Sequence, residues 1–123
     1  MITGVGIDMI EVDRVMQKID KNNGFREKVF SQAEIAFCES NRKSENYAAR
    51  FAAKEAFLKA TGMGLLLGDE LSEIEVVNDE NGKPSIILQG SFKKHAEKNG
   101  WSKIHLSLSH LQQIACAVVI LER

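Results

Sequence analysis

The sequence predicts an α+β fold, a small antiparallel sheet packed with helices. Three observations carry this. Apolar residues recur at helical spacing early in the chain, alternate over Ile104–Ser109, and run without interruption from Ile114 to Leu121. The strand signals come in tightly joined pairs, too close for the crossover that parallel strands require. Strand and helix signals are segregated rather than alternating, which is the α+β pattern. At 123 residues, with one proline (Pro84) and neither repeat nor low-complexity linker, the chain reads as one domain over residues 1–123.

Each element has its own signal. Ile2–Ile10 is apolar and glycine-spaced and reads as a strand. Val12, Val15, Met16 and Ile19 fall at i, i+3, i+4 and i+7, so a helix follows and stops near Gly24. Its other face carries Arg14, Lys18 and Lys21. Ser31 with Glu34 is a capping-box signal for a short helix to about Ser40. Ser44 is the expected cap of the main helix, Glu45–Thr61, which Gly62 ends in the left-handed conformation. The glycine-rich stretch from Gly62 to Glu70 reads as a loop. Ile74–Asn78 and Ser85–Leu88 read as a hairpin turning at Asn81-Gly82. Ser91–Asn99 is a surface helix ended by Gly100. In Ile104–Ser109 the apolar Ile104, Leu106 and Leu108 share one face, and His105, Ser107 and Ser109 the other. Ile114–Leu121 has no polar alternate positions, so it is expected to be buried on both faces, in the domain or in an oligomer interface.

Composition narrows the function classes. Apolar residues make up 44% and charged residues 27%, ordinary values for a globular domain. A net charge of −1 argues against bulk electrostatic binding of nucleic acid. Cys38 and Cys116 form no CxxC and read as small buried hydrophobes of a reducing compartment. The N-terminus lacks a signal-peptide pattern, and the longest apolar run is far shorter than the ~20 residues of a membrane span. A cytoplasmic protein, with no membrane partner, is the expectation.

Three constellations could carry chemistry. Asp8 interrupts an apolar strand, so its carboxylate needs a cation, a metal or donors; alternatively it caps the next helix. Glu11 and Asp13 are acids suited to that helix's first turn. Glu55 and Lys59 stand one turn apart on the main helix, either as an exposed i, i+4 pair or as site residues. Four alanines with Phe51, Phe57 and Leu58 suggest a helix packed on most sides. That helix runs into Gly62-Met63-Gly64, where bare backbone can approach a phosphate. Ser107, Ser109 and His110 end a strand, as a phosphate site or as a polar outer face. No GxSxG elbow and no Walker pattern is present. Separated carboxylates, lysines, arginines and strand-end hydroxyls are the equipment of magnesium-assisted phosphoryl transfer.

The motifs GIDMIE, FAAKEAFLKATGMG, NGKP and HLSLSH, in this order and spacing, resemble the holo-acyl-carrier-protein synthases, the short, trimeric branch of the 4′-phosphopantetheinyl transferase superfamily. The resemblance spans essentially the whole chain. Ile10 stands where the longer branch has a second acid, and Leu111 where many members carry Asp. The resemblance implies transfer of the 4′-phosphopantetheine arm of coenzyme A to a serine of apo-acyl carrier protein, in fatty acid biosynthesis, with release of adenosine 3′,5′-bisphosphate. It implies Asp8 and Glu55 as ligands of Mg2+, and Lys59 beside the pyrophosphate. Glu55 and a metal-bound water are the candidates to take the serine proton. It further implies that Arg50, Lys83 and His110, with Gly62, Gly64, Pro84 and Ser109, hold coenzyme A, and that three chains form a homotrimer with sites between neighbours. The basic face Arg14, Lys18 and Lys21, with Arg26 and Lys28 beyond, would dock the acidic carrier protein; the alternative is a solvated helix face. Competing classes are a metal-dependent nuclease or phosphatase, which would use water as acceptor, and a non-enzymatic module that binds coenzyme A or a nucleotide.

Overall fold

This computed structural model describes residues 1–123. The elements are β1 (Ile2–Glu11), α1 (Val12–Asp20), α2 (Phe25–Val29), α3 (Gln32–Ser40), α4 (Lys43–Thr61), a 3-10 turn (Leu71–Glu73), β2 (Ile74–Asn78), β3 (Pro84–Leu88), α5 (Gly90–Asn99), β4 (Lys103–His110) and β5 (Ile114–Glu122). As the α+β reading expects, every strand pair is antiparallel. One sheet has the order β1-β5-β4, and β2 and β3 form a separate hairpin.

Small residues let α4 lie directly on the three-stranded sheet. A Cβ on Gly4 would overlap the Ala60 carbonyl oxygen, and one on Gly6 the Ala56 carbonyl oxygen. Two strand residues advance about 6.7 Å and four helical residues about 6 Å, so these contacts repeat nearly in step. Eleven residues of α4 are buried, which bears out the expectation of a helix packed on most sides. One core cluster joins α4 to β5, the hairpin and α5 through Phe57, Ile74, Val76, Phe92, Val119 and Leu121. The other joins α4 to α1 and α3 through Val12, Val15, Phe30, Cys38 and Tyr47. No helix is long and apolar enough to cross a membrane.

Several boundaries differ from the sequence reading. α1 ends at Asp20, not near Gly24, and a five-residue helix, α2, follows. Asn22 at φ 52° and Gly24 at φ 92° turn the chain between them, and five residues are too few to print a helical period. α4 begins at Lys43 after Arg42, so Ser44 lies inside the first turn and is not the cap. β3 begins at Pro84, the first strand residue, where a missing N–H is tolerated. The capping box is as expected: Glu34 N–H donates to Ser31 Oγ at 3.2 Å, and Ser31 N–H to Glu34 Oε1 at 2.9 Å. Gly62 ends α4 at φ 70°.

For β5, expected to be buried on both faces in the domain or in an oligomer interface, the single chain buries only one face. It alternates, with Ala115, Ala117, Val119 and Leu121 buried under α4, and Cys116, Val118 and Ile120 only half-buried. The helix covers one face of the sheet and nothing in the chain covers the other. That outer face continues onto β1 as Val5, Ile7 and Met9, exposed by 61%, 57% and 66%.

Candidate active site

Asp8 and Glu55 come together at one cavity of about 470 Å3, whose other lining residues include Glu11, Arg14, Val15, Lys18 and Phe51. β1 supplies Asp8 and α4 supplies Glu55, and the Gly6–Ala56 contact sets the spacing of those elements one or two residues away. Asp8 is not a helix cap. It lies within β1, three residues before Glu11, the N-cap of α1. Its side chain is 15% exposed, and Lys59 Nζ donates to Asp8 Oδ1 at 2.9 Å and to the Ile7 carbonyl at 3.1 Å. The hydrogen bond to Asp8 raises the pKa of Lys59, so the ammonium charge is secured. Lys59 therefore pairs across to β1 rather than back along the helix to Glu55.

Burial, and then the nearby Asp8 carboxylate, push Glu55 above its ordinary value. Two carboxylates beside one half-buried cavity are an arrangement that a cation relieves. Hard oxygen ligands suit Mg2+, which takes one or two protein carboxylates and completes its octahedron with water and substrate phosphate. No cluster of three or more potential ligands is present, so the residues fit a metal only partly enclosed by the chain.

A second cavity, also about 470 Å3, is lined by Arg50, Lys83, Pro84 and His110, together with Asn46, Asn78 and Ser107. Ser109, Gly62 and Gly64 line neither cavity. Arg50 is 2% exposed and burial lowers its pKa. Its Nη2 donates to Asn78 Oδ1 at 2.6 Å, while its buried Nε has no acceptor. A buried N–H without a partner is costly, and an anionic ligand would satisfy it. Of the basic helix face, Arg14 and Lys18 flank the carboxylate cavity and Lys21 is exposed at the C-cap of α1. Lys18 Nζ sits 5.7 Å from the Phe25 ring centre and 5.6 Å from that of Phe51.

The sequence reading missed a buried ion pair that fixes α4, which carries Arg50, Glu55 and Lys59, against its neighbours. Lys54, fully buried, donates to Glu34 Oε1 at 2.8 Å, to the Leu71 carbonyl at 3.1 Å and to the Ile74 carbonyl at 2.5 Å. Burial lowers its pKa against the pull of Glu34. Glu34 Oε2 also accepts the Val76 N–H at 3.0 Å, so one ion pair ties α3, α4 and β2 together. Glu34 was visible only as a capping-box acid, and Lys54 as one charge among alanines. Their pairing, at a separation of twenty residues, leaves no local pattern.

Known proteins resemble this arrangement over its whole length. Residues 4–119 match the family described as the 4′-phosphopantetheinyl transferase superfamily (ACPS). The chain is 47% identical to the holo-[acyl-carrier-protein] synthase of Syntrophus aciditrophicus, with 99% of this chain and 97% of that protein aligned. Among solved structures it is similar to holo-[acyl-carrier-protein] synthase from Neisseria meningitidis, at TM-score 0.91 and 30% identity, covering 100% of both chains. It is similar as well to the Bacillus anthracis synthase in complex with CoA (3′,5′-ADP), at TM-score 0.80 and 37% identity, covering 98% and 96%. With its full-length match in sequence and in fold, and with its carboxylates and cations at the motifs that first suggested the resemblance, this chain belongs to the 4′-phosphopantetheinyl transferase superfamily.

Proposed function

We propose that the chain is a holo-acyl-carrier-protein synthase. It transfers the 4′-phosphopantetheine arm of coenzyme A to a serine of apo-acyl carrier protein, with Mg2+, and so supports fatty acid biosynthesis in the cytoplasm. The observation that carries this is the convergence of Asp8, Glu55 and the Lys59 ammonium beside a cavity flanked by Arg14 and Lys18. The serine oxygen forms a bond to the pantetheine-bearing phosphorus as the bond from that phosphorus to the bridging pyrophosphate oxygen breaks. Adenosine 3′,5′-bisphosphate leaves with the bonding pair. Asp8 and Glu55 are the residues that would hold Mg2+, which would supply neutralisation of the pyrophosphate charge. Lys59 offsets charge building on the leaving phosphate. For the serine proton, Glu55 and a water held at the metal site are the two candidate acceptors. Arg50, Lys83 and His110, with Pro84, hold the nucleotide and its 3′-phosphate. Gly62, Gly64 and Ser109 enter only if they meet the substrate in the assembled protein.

A homotrimer fits two features of the single chain. The outer face of the sheet, with Val5, Ile7, Met9, Val118 and Ile120, is apolar and uncovered. The carboxylate cavity and the cationic cavity are separate in one chain, and a neighbour that brings its cationic cavity to this chain's carboxylates completes one site. The decisive experiment is mass spectrometry of apo-acyl carrier protein incubated with coenzyme A and Mg2+. A gain of about 340 Da, the formula mass of the arm, is expected. An unmodified carrier protein, or coenzyme A hydrolysed without transfer, would overturn the reading.

A further inference from the structure

The carboxylate cavity carries its own counter-charges. Asp8, Glu11 and Glu55 bring three acids to its lining, and Arg14 and Lys18 bring two cations. Lys59, bonded to Asp8, supplies a third. Two of these cations are paired, Lys59 with Asp8 at 2.9 Å and Arg14 with Glu11 at 3.9 Å. Lys18 is the one of the three that forms no salt bridge. Its ammonium rests 5.6 Å from the ring centre of Phe51 and 5.7 Å from that of Phe25. Phe51 lines the cavity one helical turn before Glu55. The rings attract the ammonium without neutralising it, because an aromatic face carries no net charge. The field of Lys18 reaches the carboxylate: burial and Asp8 push Glu55 upward, and Lys59 and Lys18 pull against them.

We infer that Lys18 weakens divalent-cation binding at the Asp8–Glu55 site of the donor-free protein, so that a cation binds tightly only together with a diphosphate-bearing donor. The inference rests on the reading of Asp8 and Glu55 as metal ligands. A unit positive charge repels a divalent cation that approaches the same carboxylates. A diphosphate brings negative charge that offsets this repulsion. Such coupling is reciprocal, and the cation raises the affinity for the donor by the same factor. A lysine over two rings also adds to stability. That role would move thermal unfolding and leave cation affinity unchanged.

The test is titration of the full chain with Mn2+, which shares the preference of Mg2+ for octahedral oxygen ligands. Free Mn2+ is read by electron paramagnetic resonance at low ionic strength, with carrier protein omitted so that no transfer occurs. Lys18→Met keeps an apolar stem on the rings and removes the charge. It is expected to lower the Kd for Mn2+ about fivefold, the order Coulomb's law gives for a unit charge and a divalent cation separated by water. Lys18→Arg keeps the charge and stays near wild type. The gap between Lys18→Met and wild type narrows in saturating coenzyme A. It narrows also as salt rises, since Lys18 is exposed and its field is screened. An unchanged Kd in Lys18→Met, an equal fall in Lys18→Arg, or a gap that coenzyme A leaves intact would overturn the inference. Asp8→Ala separates the two layers. If it loses Mn2+ while Lys18→Met matches wild type, only the role of Lys18 falls. If Asp8→Ala binds Mn2+ as wild type does, the cation is not at these carboxylates, and the metal reading falls together with the role of Lys18.

Discussion

Gly6→Ala probes the contact that sets the distance between Asp8 and the α4 residues Glu55 and Lys59. The added Cβ meets the Ala56 carbonyl oxygen and, at 2.7 Å, the Ala60 nitrogen, both backbone atoms. No rotamer change can relieve such a clash, so strand and helix must separate until the approach reaches about the 3.4 Å of ordinary contact. Overpacking by a methyl costs about 1–3 kcal/mol, and a clash with unyielding backbone atoms of α4 puts this case at about 3 kcal/mol. For a domain of this size that lowers Tm by roughly 12 °C. A separation near an ångström also opens the 2.9 Å Lys59–Asp8 bond, and misplacement on that scale costs about a hundredfold in catalytic efficiency. Circular dichroism melts and the transfer assay measure the two effects. Ala56→Gly in the same chain should not rescue either, because the opposing atom is a carbonyl oxygen rather than a side chain. Wild-type Tm and activity in Gly6→Ala, or rescue by Ala56→Gly, would refute the argument.

Other perturbations follow from the same geometry. Lys54→Met leaves the Glu34 carboxylate buried without its cation and should destabilise the fold by about 3–5 kcal/mol in urea unfolding; a loss below about 1 kcal/mol would mean that the pair is solvated. Lys59→Met should lower kcat far more than Tm, since its side chain is 56% exposed and its pair with Asp8 is screened by water; unchanged turnover would remove Lys59 from the mechanism. Arg14→Glu with Lys21→Glu should raise KM for carrier protein and spare KM for coenzyme A, with the effect shrinking as salt rises because exposed charges are screened over about 10 Å at 0.1 M; a KM that ignores both substitution and salt would move the docking surface elsewhere. Burial pushes the Cys38 thiol up to about 12, so at pH 8.5 it is almost wholly protonated and should resist iodoacetamide in the native protein and react after denaturation; rapid native alkylation of Cys38 would contradict its burial.

The local readings that held are those whose cause is local. A capping box is closed within four residues, so Ser31 and Glu34 announce it wherever α3 packs. Gly62 and Asn81-Gly82 mark backbone that must enter the left-handed region, and the structure puts Gly62 at φ 70° and Gly82 at φ 83°. Alternation in β4 and the alanine-rich composition of α4 report which faces are covered, as the burial of both elements bears out. The sequence also carries the residue types of the site, because Asp8 in an apolar strand and Arg50 in a buried helix demand partners. It does not name those partners. Lys59 has Glu55 as its sequence neighbour one turn away, yet it reaches Asp8, 51 residues distant, because Gly4 and Gly6 bring β1 under α4. Arg50 finds Asn78, Lys54 finds Glu34 and His110 finds Glu45, each across elements whose mutual placement is a property of the packed core. β5 shows the same division from the other side. Its unbroken apolar run fixes that it is a strand with no polar face, but α4 covers only one of its faces, and which face lies bare is decided by packing alone.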